Sequence, residues 1–172
     1  VKYSDLSKNE KKFIDNYYKI YIAPLLSPQI IDRSHPFPHL KNKALYVAAT
    51  LTKNQKEHIG IVGIPNSVEQ IIKIENSKKY IRTEEIISAH IKDYFGSYKP
   101  IYYSVISVTR NADINMDEEK FDEDEYDYID RMSSLLKKRD RLAPVRLEIQ
   151  GEKNPLAEHL AKRLSLQETQ IF

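Results

Sequence analysis

Residues 32–39, with the sequence DRSHPFPH, constrain this chain more than any other segment, and they lead into an apolar run at 44–51. Pro36 and Pro38 lack a backbone N–H and fix their own φ angles. Each proline also moves the preceding residue out of the helical region. The segment, which we call the rail, is therefore predicted to be extended, polyproline-like and stiff. It presents three basic side chains, Arg33, His35 and His39.

The composition excludes several classes of protein and several kinds of site. The 172 residues include no cysteine, which excludes disulfides, thiolate metal sites and a cysteine nucleophile. The four glycines form no phosphate-binding loop, because Gly60-Ile-Val-Gly63 lacks the Lys-Ser/Thr pair that should follow it. No apolar run reaches the ~20 residues that span a bilayer, and no secretory signal opens the chain. Since the chain does not begin with Met, we expect a fragment of a longer cytoplasmic protein, with a location at the membrane periphery left open.

The charge distribution is asymmetric along the chain. Residues 1–110 carry 17 Lys+Arg against 10 Asp+Glu, a balance of +7, whereas residues 111–172 carry 10 against 15, a balance of −5. A basic first part can attract a polyanion through its long-range field. A solvated surface explains the same counts, and on composition alone it is the favoured interpretation.

Local signals predict the order of helices and strands. The capping box Ser7-Lys8-Asn9-Glu10 predicts a helix over 8–22, which Pro24 and Pro28 end. The other predicted elements are hairpins at 45–63 and 71–81, a helix capped by Thr83 and ended by Gly96, strands at 101–109 and 145–149, a helix at 117–139 and a last helix after Asn154. We therefore predict an α+β domain: a mixed β-sheet with β-hairpins in its first half and flanking helices, preceded by an N-terminal helix. The predicted division is 1–28 for the N-terminal helix and linker and 29–172 for the α+β domain.

The histidines and acidic residues form no complete catalytic motif. His39-Leu-Lys41 and His90-Ile-Lys92 each lack the aspartate, five residues after the lysine, that a phospholipase D-type motif requires. The five histidines are scattered, so surface or packing roles are favoured over metal binding. The acidic run at 117–130 is interpreted as a solvated helix face. No catalytic or metal-ligating residue is predicted.

Two groups of side chains are suited to phosphate or nucleic acid. Tyr17, Tyr18 and Tyr21 are interleaved with lysines, a pattern that could stack bases and contact phosphates. An amphipathic helix with its phenols at the edge of an interface is the favoured alternative. Arg110 is a planar cation at a strand end and is suited to phosphate, while an internal ion pair with Asp113 is at least as well supported.

Four segments in register form a pattern that is typical of one family. They are 21–32 (YIAPLLSPQIID), 35–38 (HPFP), 108–114 (VTRNADI) before an acidic helix, and 144–148 (PVRLE) before the last helix. Together they resemble the middle, or head, domain of the polyphosphate kinase family that works through a phosphohistidine. The resemblance covers residues 6–172, which is nearly the whole chain.

The resemblance implies an activity for the parent protein. Enzymes of this family transfer the terminal phosphoryl group of ATP reversibly onto inorganic polyphosphate, with Mg²⁺, and two C-terminal domains hold their phosphorylated histidine. We expect no counterpart of those domains in these residues, so the fragment alone is predicted to be inactive and to hold no cofactor. It is expected to brace the catalytic domains, contribute to dimer contacts and border the passage for nucleotide and polyphosphate.

The resemblance also implies site residues and partners. Residues predicted to face phosphate or polyphosphate are Arg33, His35 and Arg110, and those predicted to be structural are Pro36, Phe37, Pro38 and Asp113. The expected partners are the other domains of the same enzyme, a second copy in the parent oligomer, polyphosphate, and ATP or ADP. Two alternatives stay open: a stand-alone basic nucleic-acid-binding module, which is less favoured, and an oligomerisation domain.

Overall fold

A computed structural model describes residues 1–32, 35–111, 142–151 and 154–172. The predicted site residues Arg33 and Asp113 and the predicted helix at 117–139 lie outside these residues. The helices and strands are α1 (Lys8–Tyr17), β1 (Gln29–Ile31), β2 (Leu45–Lys53), β3 (Lys56–Gly63), β4 (Ile71–Lys73), β5 (Tyr80–Arg82), α2 (Thr83–Ala89), β6 (Lys99–Arg110), β7 (Pro144–Ile149) and α3 (Pro155–Leu164). No helix in the described ranges is long and apolar enough to cross a membrane.

Five strands form the main sheet in the order β1-β3-β2-β6-β7, and β4 pairs with β5 in a small separate sheet. Each neighbouring pair of strands is antiparallel. A parallel pairing appears as an isolated bridge between Leu147 and Ile171 at the β7 edge. The predicted α+β class, with hairpins in the first half and flanking helices, is confirmed, but the described strands form an antiparallel sheet instead of the predicted mixed one.

Both predicted hairpins form, and their turns explain why. The two-residue turn between β2 and β3 places Asn54 at φ 51° and Gln55 at φ 60°. Two successive left-handed residues are the mark of a type I′ turn, whose twist matches that of the strands it joins. In the second hairpin, Asn76 takes φ 56° close to the tip. An asparagine tolerates this conformation better than most residues, because its short polar side chain can bond locally.

The N-terminal helix begins as its sequence predicts. The Ser7 hydroxyl accepts from the Glu10 amide, and the Glu10 carboxylate accepts from the Ser7 amide at 2.8 Å. The α-helical pattern ends at Tyr17 and continues as a π-helical turn, Tyr18–Ile22. The predicted span of 8–22 is therefore helical throughout, but it is not one uniform α-helix.

The start of α2 differs from the prediction. The helix begins at Thr83, with Arg82 as the N-cap residue and no side-chain capping bond. The Thr83 hydroxyl instead donates to the Glu69 carbonyl, in the segment before β4. This contact across 14 residues takes the oxygen away from the helix end, so the predicted Thr83 cap is wrong. The α-helix ends at Ala89, which is earlier than the predicted end at Gly96.

Apolar side chains cover both faces of the main sheet. On one face, buried residues of β2 such as Val47 and Leu51 pack with α2 and with Ile14 of α1. On the other face, Ala48 packs with the apolar stripe of α3, which includes Leu160. This alternation along β2 follows from the period of two in a strand. The N-terminal helix thus shares a core with the sheet, and the division at residue 28 stays a prediction.

Phe95 and Leu51 leave no room for a side chain at Gly60 on β3. A Cβ on Gly60 would lie 2.6 Å from Phe95 Cζ and 2.7 Å from Leu51 Cδ1, and both side chains are buried. We expect Gly60→Ala to lower the free energy of unfolding by about 1–3 kcal/mol through overpacking. On the same strand, a Cβ on Gly63 meets its nearest atom, in Tyr46, at 3.4 Å. Urea denaturation of Gly60→Ala and of the control Gly63→Ala tests this, and equal midpoints would contradict it.

The stability that the Ser7–Glu10 capping box contributes is predicted to depend on pH. Bonds from the Ser7 amide and from Lys79 lower the pKa of Glu10 from 4.5 to about 2. The stability that the carboxylate contributes is thus fully present above its ordinary pKa and is lost as the pH falls through about 2. Unfolding measured between about pH 6 and pH 2 should show Glu10→Gln destabilised at the higher pH and converging with wild type at the lower. A difference that does not change with pH would refute this assignment, and Glu57→Gln on the exposed start of β3 is the control.

Candidate phosphate-facing site

The rail begins with a closed loop. Asp32 Oδ1 accepts from the His35 amide at 2.8 Å and lies 3.0 Å from His35 Nδ1. The Asp32 amide in turn donates to the His35 carbonyl at 3.1 Å. These contacts hold the backbone and the ring together, while the His35 side chain remains 75% exposed. The imidazole is therefore oriented by Asp32 and open to solvent, as a residue that meets a ligand must be.

Beyond the loop, the rail is attached to the sheet by its apolar side chains. Residues 36–41 form neither helix nor strand. Phe37 is half-buried and packs against the core on the α3 side of the sheet, and Leu40 is fully buried in that core. Pro36 is exposed and Pro38 is half-buried. Phe37 within the rail and Leu40 directly after it thus anchor residues 35–40 to the sheet.

The rail separates two surface grooves. One groove of about 680 Å³ runs beside β1 and includes His35, Phe37 and Tyr98 in its lining. The other, of about 480 Å³, includes His39 and Lys41. Pro38 and Gln29 line both grooves, which makes the rail the wall between them. His35 and His39 therefore belong to different grooves.

Two properties of the grooves bear on the ligands that they can hold: their capacity to bind a metal ion and their charge. Among the residues that the structure describes, no three His, Asp or Glu side chains converge as a possible metal site. At the His35 groove, Lys53 Nζ lies 4.5 Å from the centre of the Tyr98 ring. This cation–π contact places a positive charge next to one side chain of the groove lining. The lining itself includes one imidazole, His35, and one carboxylate, Asp32.

Arg110 is a buried tie between distant segments. Its Nε donates to the Leu40 carbonyl at 2.8 Å, and its Nη1 donates to the Leu142 carbonyl at 2.7 Å. Its amide donates to the Asn42 side chain at 2.9 Å. Only 7% of the residue is exposed. Because a buried cation is costly unless its donors are satisfied, these bonds fix the guanidinium in place. Arg110 thereby joins the end of the rail to the segment that leads into β7.

The structure thus separates the predicted site residues by environment. His35 lies in the open at one groove, whereas Arg110 is buried behind the far end of the rail. Sequence reasoning missed Asp32 and Asn42, the two side chains that hold these residues. Asp32 carried a usable signal, since an aspartate often bonds to the backbone a few residues onward in a turn. Asn42 carried none, because its partner is 68 residues away.

Comparisons with known proteins agree on one family. A family model described as "Polyphosphate kinase middle domain" matches residues 9–172. A polyphosphate kinase of Bacillus anthracis is 35% identical over 159 residues, covering 87% of this chain and 22% of the relative. A polyphosphate kinase of Campylobacter coli is 29% identical over 174 residues, covering 99% of this chain and 24% of the relative.

A solved structure shares the fold. The crystal structure of the polyphosphate kinase from Porphyromonas gingivalis matches with a TM-score of 0.70 at 16% sequence identity. The match covers 96% of this chain and 23% of that chain. This chain therefore spans less than a quarter of the length of these relatives.

The Arg110 tie generates a prediction on stability. Replacing Arg110 by alanine removes two charge-assisted hydrogen bonds and leaves two carbonyls without these donors. We expect Arg110→Ala to lower the free energy of unfolding by about 2–4 kcal/mol, and Arg110→Lys to lower it by less, since lysine keeps the charge without the fork. Arg146 is a matched control, because its partner Glu148 is 46% exposed. Arg146→Lys should cost less than about 1 kcal/mol. If denaturant unfolding shows that Arg110→Ala lowers the free energy of unfolding no more than Arg146→Lys does, the structural role of the Arg110 hydrogen bonds is disproved.

Proposed function

We propose a function for this chain from one premise: it belongs to the polyphosphate kinase family and corresponds to the middle domain. The observation that carries the proposal is the family match over residues 9–172, which leaves only eight residues unmatched. The parent protein is proposed to transfer the terminal phosphoryl group of ATP reversibly onto inorganic polyphosphate. Within it, this domain braces the catalytic domains, contributes to dimer contacts and borders the passage for nucleotide and polyphosphate.

The rail is the proposed border of that passage. His35 is held by Asp32 and is open to solvent, and Arg33 stands two residues before it in the sequence. An imidazole N–H and a guanidinium are both donors from which phosphate oxygens can accept hydrogen bonds. We assign these two residues to phosphate contact. Arg110 was predicted to share that role, and its carbonyl contacts support a positioning role instead: it holds the far end of the rail.

The bracing role is supported by an apolar patch on β6. β7 pairs with β6 only over Ile106–Arg110, so the first half of β6 has no strand beside it on that edge among the described residues. Ile101, Tyr102 and Tyr103 of this free half are each between 42% and 47% exposed. An unpaired strand edge with apolar side chains is a natural contact surface for protein. We propose that another part of the parent enzyme covers it.

The cofactors of the family are proposed for the parent protein. Phosphoryl transfer from ATP uses Mg²⁺ to neutralise charge on the phosphates. The described residues include no convergent set of three His, Asp or Glu side chains, so they do not fit a dedicated Mg²⁺ site. No step that involves Mg²⁺ or a phosphohistidine is assigned to this chain.

The nucleic-acid alternative loses part of its basis in the structure. Tyr18, one of its three predicted stacking residues, is 4% exposed and stacks on His90 with ring centres 3.9 Å apart. Tyr17 is half-buried against Tyr21, with ring centres 4.9 Å apart. A ring that is already stacked within the core does not receive a base. We therefore place the phosphate-facing function on the rail.

Substitution on the rail tests the proposal in the parent enzyme. With Arg33→Gln and His35→Gln together, we expect the KM for polyphosphate to rise about tenfold with kcat little changed, because the contacts bind substrate away from the reacting atoms. Lys56→Gln, at the exposed start of β3, is the control and should leave both constants unchanged. Synthesis of polyphosphate from ATP is the assay. An unchanged KM would remove the rail from the passage, and a parent without this activity would overturn the family-based function itself.

A further inference from the structure

Lysines predominate in a groove along α1 and the π-helical turn that follows it. Four lysines line a shallow groove of about 870 Å³ along this helix, and two asparagines line it with them: Lys8, Lys11, Lys12 and Lys19, with Asn9 and Asn16. None of the four lysines has an ion-pair partner among the described residues. Lys11 is the one with a further contact, its Nζ lying 5.5 Å from the centre of the Tyr3 ring.

The acidic side chains of α1 each have a partner on another part of the domain. Glu10 forms an ion pair with Lys79, with Nζ and Oε2 3.1 Å apart. Asp15, which also borders the groove, lies 3.2 Å from His90 Nε2 and accepts from the Tyr3 hydroxyl. The other ring nitrogen of His90 faces the Ile86 carbonyl at 2.9 Å. Both nitrogens thus face acceptor oxygens. Glu10 and Asp15 therefore have partners next to β5 and α2, whereas the four lysines have no ion-pair partner among the described residues.

The spacing of the lysines favours an extended ligand over a compact one. Lys8 and Lys12 are one helical turn apart, and Lys19 lies 11 positions after Lys8, which corresponds to about 16 Å along a helix. A compact phosphate cannot touch cations over such a length. A linear polyanion can lie along the helix and contact several of them, and the ammonium groups on their flexible stems suit phosphate as point charges.

We propose that this side of α1 is a second binding site for inorganic polyphosphate, separate from the rail. The inference rests on the proposed function, because polyphosphate is the linear polyanion that a polyphosphate kinase produces. Nucleic acid is less favoured, since Phe13 is the one aromatic side chain among the described residues lining this groove, and it is half-buried. Tyr17 and Tyr21 line a neighbouring groove, with Glu69 and Glu75 beside them. Base stacking needs exposed rings, which this groove does not offer.

Binding of polyphosphate to the 172-residue chain tests the site directly. In the triple variant Lys8→Gln, Lys12→Gln, Lys19→Gln, we expect affinity for long-chain polyphosphate to fall about tenfold at low salt, with a shallower dependence on salt concentration. The control removes the same charge from other exposed positions, with Lys56→Gln, Lys73→Gln and Lys99→Gln. It should change affinity less than about twofold. Glutamine and lysine have similar helix propensities, so circular dichroism should be unchanged in the triple variant.

The outcomes separate this site from the proposed function. Equal losses in the triple variant and the control, or no binding by the wild-type chain at low salt, would overturn the site. Tighter binding of single-stranded RNA than of polyphosphate at matched charge would overturn the ligand. In the parent enzyme, the triple variant should raise the KM for long polyphosphate and leave kcat and the KM for ATP unchanged. A parent that makes no polyphosphate contradicts the proposed function, whatever the isolated chain binds.

Discussion

The buried guanidinium of Arg110 is the contact on which the candidate site depends. It bonds to carbonyls at Leu40 and Leu142, which are 102 positions apart in the sequence and lie outside the strands. One contact fixes the end of the rail and the other fixes the approach to β7. A cation buried to this extent persists only where its donors are satisfied, so its geometry and that of the rail require each other. The prolines restrict the backbone of the rail, and its position depends on Arg110 together with the buried contacts of Phe37 and Leu40.

Because the rail is restricted and held in place, it divides the surface beside it into two grooves. Pro38 borders both grooves, so the rail forms the wall between them. His35 and His39 are four positions apart, a spacing that would bring them together on a helix. Here they serve different grooves instead. A continuous wall with one basic residue on each side is suited to guiding an anionic chain past the domain, which agrees with a passage border in the parent enzyme.

Much of the fold could be predicted because its signals are local. The capping box at Ser7, the Asn154-Pro155 start of α3 and the turns of both hairpins each act within a few residues, and each was confirmed. The contacts that the sequence did not indicate share one cause. The Thr83 hydroxyl is taken by a carbonyl 14 residues away, and the Arg110 donors are taken by carbonyls 32 and 70 residues away. A polar side chain satisfies its strongest available partner, and the sequence does not reveal which distant partner the fold will bring.

The same reasoning explains how an almost neutral chain acquires a basic surface. The counts in the first 110 residues favour lysine and arginine only modestly, and a solvated surface was the reasonable interpretation of them. The fold pairs Glu10 with Lys79, while Lys8, Lys11, Lys12 and Lys19 have no ion-pair partner among the described residues. The charges of the Glu10–Lys79 pair cancel in the local field, and the four lysines leave that field positive. A polyanion therefore meets a stronger field at α1 than the net charge of +2 indicates, and it does so without any change in composition.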